Sequence, residues 1–197
     1  MARIVVSEFL SLDGVMQAPG GVEEDRTGGF EHGGWEGPYF DDAAGRAVDE
    51  AMAKTDGLLL GRRTYDIFAG YWPSSTEEPG LAERLNSLPK YVVSTTLEEP
   101  LEWNNSSLIK DDVPNQLSKL KELPGRDLLV FGSGDLAQTL MEHDLIDEYR
   151  LMVHPIVLGS GKRLFREGNP RTGLRLVDST ISSTGTLIAT YAPERPK

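Results

Sequence analysis

Short apolar runs alternate with amphipathic stretches along most of the chain. Runs of branched or aromatic residues with the length of buried strands occupy positions 4–10, 58–60, 91–94 and 128–131, with a further strand at 149–153 and a weak one at 107–109. Most of them end at glycine, serine or another turn residue, as buried strands do. This part of the pattern predicts a sheet of at least six strands.

Apolar residues at helical spacing lie between these runs. One stripe comprises positions 40, 43, 44, 47, 48, 51 and 52, and helices are also predicted at 62–68, 81–88, 113–123 and 136–141. Positions 174–182 and 186–191 alternate apolar and polar residues around Ser183-Thr184-Gly185, which indicates a hairpin. Strands that alternate with helices and end in a hairpin predict an α/β fold with three α/β/α layers. Its sheet is mixed and mainly parallel, with a C-terminal antiparallel hairpin.

The stretch 17–38 does not fit this alternation. It is rich in Gly and Glu with scattered aromatic residues, and it is too long for an ordinary connection. One interpretation is an unpacked surface excursion. The other is a lid or binding loop in which Phe30 and Trp35 pack over a site or a partner.

Composition narrows the function classes. The 197 residues, 39% of them hydrophobic, suit a single domain over 1–197. A formal charge of -11 would repel a phosphate backbone, so nucleic acid is not an expected partner. The chain has no cysteine, which excludes disulfides and thiolate nucleophiles. No apolar run reaches membrane-spanning length, so we expect a cytoplasmic protein without a membrane partner.

Two glycine turns between a strand and a helix are candidate phosphate sites. Gly61-Arg62-Arg63-Thr64 follows the strand at 58–60, and Gly132-Ser133-Gly134-Asp135 follows the strand at 128–131. At such turns, backbone N–H groups and the positive end of the helix dipole can meet a phosphate. A solvated helix start is the alternative for the two arginines, and an N-cap role is the alternative for Asp135. Hydroxyl groups of Ser94-Thr95-Thr96 end a third strand.

Other motifs indicate what the protein is not. The segment 132–137 matches the loose dinucleotide pattern, but a hairpin follows it instead of further strand–helix units, so a Rossmann fold is rejected. Gly159-Ser160-Gly161-Lys162 lacks the hydroxyl residue of a P-loop, because Arg163 stands there. The histidines at 32, 143 and 154 lack metal-ligand spacing and are interpreted as structural, so no metal site is predicted.

Four segments resemble the dihydrofolate reductase-like superfamily in their order, and most closely the RibD C-terminal reductase group. They are Ser11-Leu12-Asp13-Gly14, Leu60-Gly61-Arg62-Arg63-Thr64-Tyr65, Tyr91-Val92-Val93-Ser94 and Phe131-Gly132-Ser133-Gly134. The resemblance implies a dihydrofolate reductase-like fold with NADPH, or NADH, lying across the strand ends. The cofactor-binding residues that it implies are Gly61, Arg62, Arg63, Thr64, Ser94, Thr95, Gly132, Ser133, Gly134 and Asp135.

The same resemblance implies an NAD(P)H-dependent reductase of a small heterocycle in riboflavin or pterin metabolism. By this resemblance the substrate is a pteridine, a ribityl or ribosyl pyrimidine such as a phosphoribosylamino-pyrimidine, or a related small heterocycle. Candidate catalytic carboxylates are Asp13, Asp41 and Asp42, and the alternative role of the last two is as N-terminal helix charges. Lys162 and Arg163 are candidates for a substrate phosphate clamp, with solvated loop charges as the alternative.

Two function classes stay open at this point. The first is the reductase, and the second is a non-catalytic nucleotide-binding or assembly protein that retains the fold. Members of the RibD group often carry a basic residue after the serine at position 94, whereas this chain has Thr95, which weakens the preference for NADPH over NADH. The resemblance also implies a homodimer, for which the hairpin and the stretch 17–38 are candidate interfaces.

Overall fold

The computed structural model describes residues 1–194, which contain eight β-strands and five α-helices. The strands are β1 (Arg3–Ser11), β2 (Thr55–Gly61), β3 (Lys90–Val93), β4 (Ser106–Ile109), β5 (Asp127–Phe131), β6 (Glu148–His154), β7 (Leu174–Ile181) and β8 (Leu187–Pro193). The helices are α1 (Asp42–Ala53), α2 (Arg62–Tyr71), α3 (Pro79–Ser87), α4 (Val113–Glu122) and α5 (Gly134–Glu142). Short 3-10 helices occur at Thr27–Gly29, Gly37–Tyr39 and Trp72–Ser74.

The eight strands follow the order β4-β3-β2-β5-β1-β6-β8-β7 in one sheet. β2 pairs in parallel with β3 and β5, β3 with β4, and β1 with β6. β8 pairs antiparallel with both β6 and β7, which forms the C-terminal hairpin. The predicted fold class, a mixed and mainly parallel sheet with an antiparallel hairpin, is therefore confirmed.

The chain divides into two compact units, and the first contains residues 1–4 and 54–145. The apolar runs within β2, β3 and β5 are short, and Leu58, Leu59, Leu60, Val92, Leu129 and Val130 are all buried. Parallel strands covered on both faces need such sequences, because neither face meets water. α2 packs against β2 and β3, and α5 packs against β2.

The second compact unit contains residues 5–53 and the described residues from 146 onwards. Phe30 and Trp35 are buried there in a cluster with Val15 and Ala18, and the indole N–H of Trp35 donates to the Gln17 carbonyl at 2.8 Å. The stretch 17–38 is therefore packed within its own unit, and the interpretation of an unpacked excursion is wrong. The prediction of one domain over 1–197 stays a prediction.

Several element boundaries differ from the sequence prediction, and two of the differences have a local cause. The helical stripe that the sequence predicts includes Phe40, yet α1 begins at Asp42, because the Asp41 carboxylate accepts the N–H groups of Ala43 and Ala44 at 3.0 and 3.1 Å. That contact is an N-cap, which sets where a helix starts. α3 begins at Pro79, two residues before the helix predicted at 81–88, because proline is tolerated in the first helical turn.

Membrane-spanning helices and metal-binding clusters are both absent from residues 1–194. None of the helices there is both long and apolar enough to cross a membrane. No three His, Asp or Glu side chains of this described part gather where they could hold a metal ion.

Candidate cofactor site

Two strand-to-helix turns lie side by side in the first compact unit. β2 passes into α2 at Gly61, and β5 passes into α5 through Gly132 and Ser133. The N–H of Gly61 donates to the Ser133 hydroxyl at 2.9 Å, and the N–H of Ser133 donates to the Thr64 hydroxyl at 2.9 Å. Each turn thus binds the backbone of the other through a side-chain hydroxyl, so the two turns form one interlocked structure.

The backbone of the second turn requires glycine at its first position. Gly132 and Ser133 both have left-handed backbones, with φ of 53° and 54°. A Cβ atom on Gly132 would lie 2.9 Å from the Thr64 hydroxyl oxygen, which is closer than real Cβ contacts come. Ser133 tolerates this conformation because its hydroxyl also donates to the Phe131 carbonyl at 2.9 Å. The turn is therefore narrow and held in one geometry.

Both helix starts at this place suit an anion. The N-cap residues, Gly61 for α2 and Ser133 for α5, make no side-chain hydrogen bond to the first helical turn. The N–H groups of a first helical turn have no acceptor inside the helix, and the dipole places partial positive charge there. Two neighbouring helix starts of this kind can bind two phosphate groups.

A third strand end adjoins these turns through the Arg62 side chain. Its guanidinium Nη1 donates to the Thr96 hydroxyl at 2.6 Å, and Thr96 lies just after β3. The Ser94 hydroxyl accepts the N–H groups of Thr96 and Leu97 at 3.2 and 3.1 Å, which shapes the turn. The structure therefore brings together the three strand ends that the sequence indicated, and Arg62 is the cation between two of them.

The remaining predicted cofactor residues are placed at the edge of this site. Arg63, Thr95 and Asp135 are exposed. Asp135 is the second residue of α5, and Ser133 is its N-cap, so the alternative N-cap role of Asp135 is wrong. The sequence did not indicate the reciprocal contacts among Gly61, Thr64 and Ser133, although a hydroxyl residue near each glycine turn was a visible signal. Cofactor binding by these residues stays a prediction.

Asp13, a predicted catalytic residue, joins two loops of the second compact unit. One carboxylate oxygen accepts from the Ser11 hydroxyl at 2.7 Å and the Leu158 N–H at 3.1 Å, and the other accepts from the Gly159 N–H at 2.9 Å. Arg163 contributes an ion pair at 3.1 Å. The Ser11 bond and the two backbone bonds hold the pKa of Asp13 well below its usual range. It is ionised near neutral pH, and its catalytic role stays a prediction.

Asp41 and Asp42 both lie at the start of α1. Besides capping the helix, Asp41 accepts from the Ser183 hydroxyl at 2.6 Å and the Ser183 N–H at 2.9 Å. These bonds, with that from Ala44, lower the pKa of Asp41 to about 2. Asp42 is exposed in the first helical turn, where a negative charge is favourable. Both residues have a structural place, and their catalytic roles stay predictions.

The two candidate clamp residues are held by carboxylates. The Lys162 ammonium donates to Asp25 Oδ2 at 2.6 Å and to the Thr27 hydroxyl at 2.7 Å, and Arg163 pairs with Asp13. Burial disfavours the charge on Asp25, but the bonds from Lys162 and Thr27 prevail and lower its pKa to about 2. Each cation has a carboxylate partner and fastens a loop, while 39% of the Lys162 side chain and 41% of the Arg163 side chain are exposed. The phosphate clamp and the solvated loop charges both stay predictions.

Comparison with known proteins agrees with this architecture. The family model of the RibD C-terminal domain matches residues 2–188. The uncharacterized protein YyaP of Bacillus subtilis (strain 168) is 34% identical over 143 residues, which are 71% of this chain and 75% of YyaP.

Two solved structures share the fold at low sequence identity. A putative riboflavin biosynthesis protein from Shewanella sp. PV-4 superposes with a TM-score of 0.71 at 22% identity, over 98% of this chain and 99% of that one. Dihydrofolate reductase from Enterococcus faecalis, complexed with NADP(H) and RAB-propyl, superposes with a TM-score of 0.62 at 10% identity, over 98% and 97%. The chain belongs to the RibD C-terminal domain family and has the dihydrofolate reductase-like fold.

Proposed function

We propose that the protein is an NAD(P)H-dependent reductase of a small heterocycle. The RibD C-terminal family and the similarity to reductases support an oxidoreductase in general. The single observation that carries the cofactor assignment is the pair of interlocked turns, in which two helix starts without side-chain caps stand next to each other. Such a pair suits the two phosphate groups of a dinucleotide's pyrophosphate.

In this proposal, the residues of the first compact unit bind and orient the cofactor. The first turns of α2 (residues 62–64) and α5 (residues 134–136) offer backbone N–H groups to the pyrophosphate. The N–H groups of Gly61 and Ser133 are bound to hydroxyl groups within the interlock, and the missing Cβ of Gly132 leaves room for the Thr64 hydroxyl that fixes the turn. Arg62 reaches the end of β3 and suits the adenosine ribose side. When bound, the nicotinamide supplies the hydride, so the protein's own task is to position it.

The choice between NADPH and NADH depends on charge near the end of β3. Thr95 is uncharged and exposed, so it offers an additional phosphate at most a hydrogen bond. The Arg62 guanidinium already reaches Thr96 and has its second partner, Asp66, at 3.4 Å. Since a guanidinium can form paired hydrogen bonds with a phosphate, we propose Arg62 as the residue that gives NADPH its advantage.

Thermal unfolding with NADPH and with NADH tests cofactor binding. A ligand that binds only the folded state increases the free energy of unfolding, by about 2.7 kcal/mol at a ligand concentration of a hundred times Kd. The unfolding temperature rises as a result. We expect a rise with at least one cofactor. No rise with either cofactor at millimolar concentration would refute the proposal.

Turnover separates the reductase from the rival, a nucleotide-binding or assembly protein without chemistry. Oxidation of the reduced cofactor is measured with pterins and with phosphoribosylamino-pyrimidines as substrates. The engagement of Asp13 and Asp41 in structural hydrogen bonds favours neither class, since the cofactor supplies the chemistry. Cofactor binding without turnover of any of these candidate substrates would favour the rival.

We also propose that this cytoplasmic enzyme is a homodimer. Light scattering of the purified protein measures its mass and tests this.

A further inference from the structure

His154 ends β6 and is fully buried in the second compact unit, with 0% of its surface exposed. Aromatic rings surround it: the centroid distances are 5.4 Å to Trp35, 6.0 Å to Phe9 and 6.1 Å to Tyr39. Phe9 belongs to β1, whereas Trp35 and Tyr39 belong to the stretch before α1. The imidazole is therefore enclosed between the sheet and a covering segment, which we define as residues 30–41.

One ring nitrogen of His154 has a hydrogen bond and the other has none. Nδ1 lies 3.2 Å from the Leu10 carbonyl oxygen, which can only accept, so Nδ1 carries the proton of the neutral ring. Nε2 is then an acceptor, and it is buried without a hydrogen-bond partner. The neutral form leaves one acceptor unsatisfied, whereas protonation would add a charge and a donor to the same place.

The charged groups on the surrounding elements do not compensate such a charge. On the covering segment, Tyr39 is the titratable residue whose ring contacts His154, and Glu36 makes no hydrogen bond to Nε2. On β1, Glu8 alternates to the opposite face from Phe9. On β6, Arg150 and Glu148 are paired with each other at 2.7 Å. The backbone groups of Leu10 and Met152 favour the protonated ring, but burial outweighs them and lowers the pKa of His154.

A few polar contacts anchor the covering segment. The Trp35 indole donates to the Gln17 carbonyl at 2.8 Å, the Thr184 hydroxyl donates to the Tyr39 carbonyl at 2.7 Å, and Asp41 binds Ser183. Two backbone N–H groups of the segment, those of Gly34 and Glu36, also donate to the carbonyls of Ala18 and Pro19 at 2.9 and 3.2 Å. The remaining attachment includes the aromatic packing on His154 and Phe9. A change in the charge of His154 therefore acts directly on the aromatic rings that hold the covering segment against the sheet.

We propose that His154 is a pH-sensitive latch, whose protonation at Nε2 releases the covering segment 30–41 from the sheet of the second compact unit. The packed segment excludes water from Nε2, and its release lets water accept the new N–H and solvate the charge. This inference is independent of the proposed reductase activity, because it concerns a conformational equilibrium of the chain alone.

Burial of His154 determines whether the closed arrangement gains or loses stability as the pH falls. Burial lowers the pKa of His154 below its ordinary value of 6.5 in the closed arrangement, and release restores it. The closed arrangement is therefore fully stable above pH 6.5 and loses stability as the pH falls from 6.5 towards the lowered pKa. Within that window, the population of the released form rises by about tenfold for each pH unit.

Amide hydrogen exchange, corrected for the chemical rate at each pH, tests the latch on the full chain. We expect the protection of residues 30–41 to fall by about tenfold per pH unit below pH 6.5, while β2 and β5 keep theirs. The variant His154→Gln should lose this pH dependence. The matched control His143→Gln, at an exposed histidine, should retain it. Equal pH dependence in His154→Gln and wild type, or none in wild type, would overturn the latch.

A second measurement covers the case in which His154→Gln does not fold. NMR of the wild-type protein follows the imidazole resonances of its three histidines and the indole resonance of Trp35. The latch requires that Trp35 changes together with the His154 titration. A His154 titration at the ordinary value of 6.5, without a change at Trp35, would overturn it.

Discussion

Replacement of Gly132 by alanine perturbs the interlocked turns at their narrowest point. The left-handed backbone at φ 53° costs a residue with a Cβ about 1–2 kcal/mol. The new Cβ would also lie 2.9 Å from the Thr64 hydroxyl and displace it from the Ser133 N–H, at a cost of about 1 kcal/mol for the hydrogen bond. We therefore expect Gly132→Ala to lower the free energy of unfolding by about 2–3 kcal/mol.

Thermal and denaturant unfolding measure this loss. For a chain of this size, the expected loss lowers the unfolding temperature by about 4–12 °C. The control is Gly70→Ala in α2, where the backbone is helical and an added Cβ meets nothing within 4 Å. It should be neutral or stabilising by up to about 1 kcal/mol, because alanine favours helix. Equal unfolding temperatures for Gly132→Ala and wild type would refute the reasoning.

Two further predictions concern charge. If the Arg62 guanidinium binds the additional phosphate of NADPH, Arg62→Ala should weaken the binding of NADPH more than the binding of NADH. Titration with each cofactor measures the two affinities. An equal loss of affinity for both cofactors would place Arg62 at the pyrophosphate that they share. Burial lowers the pKa of Lys90 to about 8 from 10.5, although its ammonium is bound by two carbonyl groups and lies 4.2 Å from the Trp103 ring centre. Between those pH values the unfolded state binds more protons, so the stability of wild type relative to Lys90→Met should rise from pH 8 to pH 10.5 in denaturant titrations. A flat difference over that range would contradict the burial argument.

Local signals predicted most of the fold. The strands of the first compact unit are short apolar runs between turn residues, and the amphipathic helices have apolar residues at helical spacing, so both can be identified without tertiary information. Phe40 shows that apolar spacing alone does not determine where a helix begins. An apolar residue in helical phase was assigned to α1, whereas the Asp41 cap starts the helix after it.

The candidate site was predictable in its positions but not in its contacts. Gly61, Ser94 and Gly132 stand where a strand ends, and the carboxyl ends of parallel strands meet at one edge of a sheet. The partners of the candidate carboxylates could not be predicted, because residue type and location near a turn do not reveal which groups a side chain binds. Asp13 and Asp41 proved to bind Gly159 and Ser183, which are far away in the sequence.

The sequence by itself determined the alternation of strands and helices, the glycine turns and the excess of negative charge, because each of these depends on neighbouring residues or on a sum over the chain. Tertiary structure alone decided that Ser133 binds Gly61 and Thr64, that Lys162 pairs with Asp25, and that His154 lies among aromatic rings. The physical reason is that the partners are separated by long stretches of the sequence. These partners lie 69 or more residues apart, so only the folded backbone brings their atoms within hydrogen-bonding or packing distance.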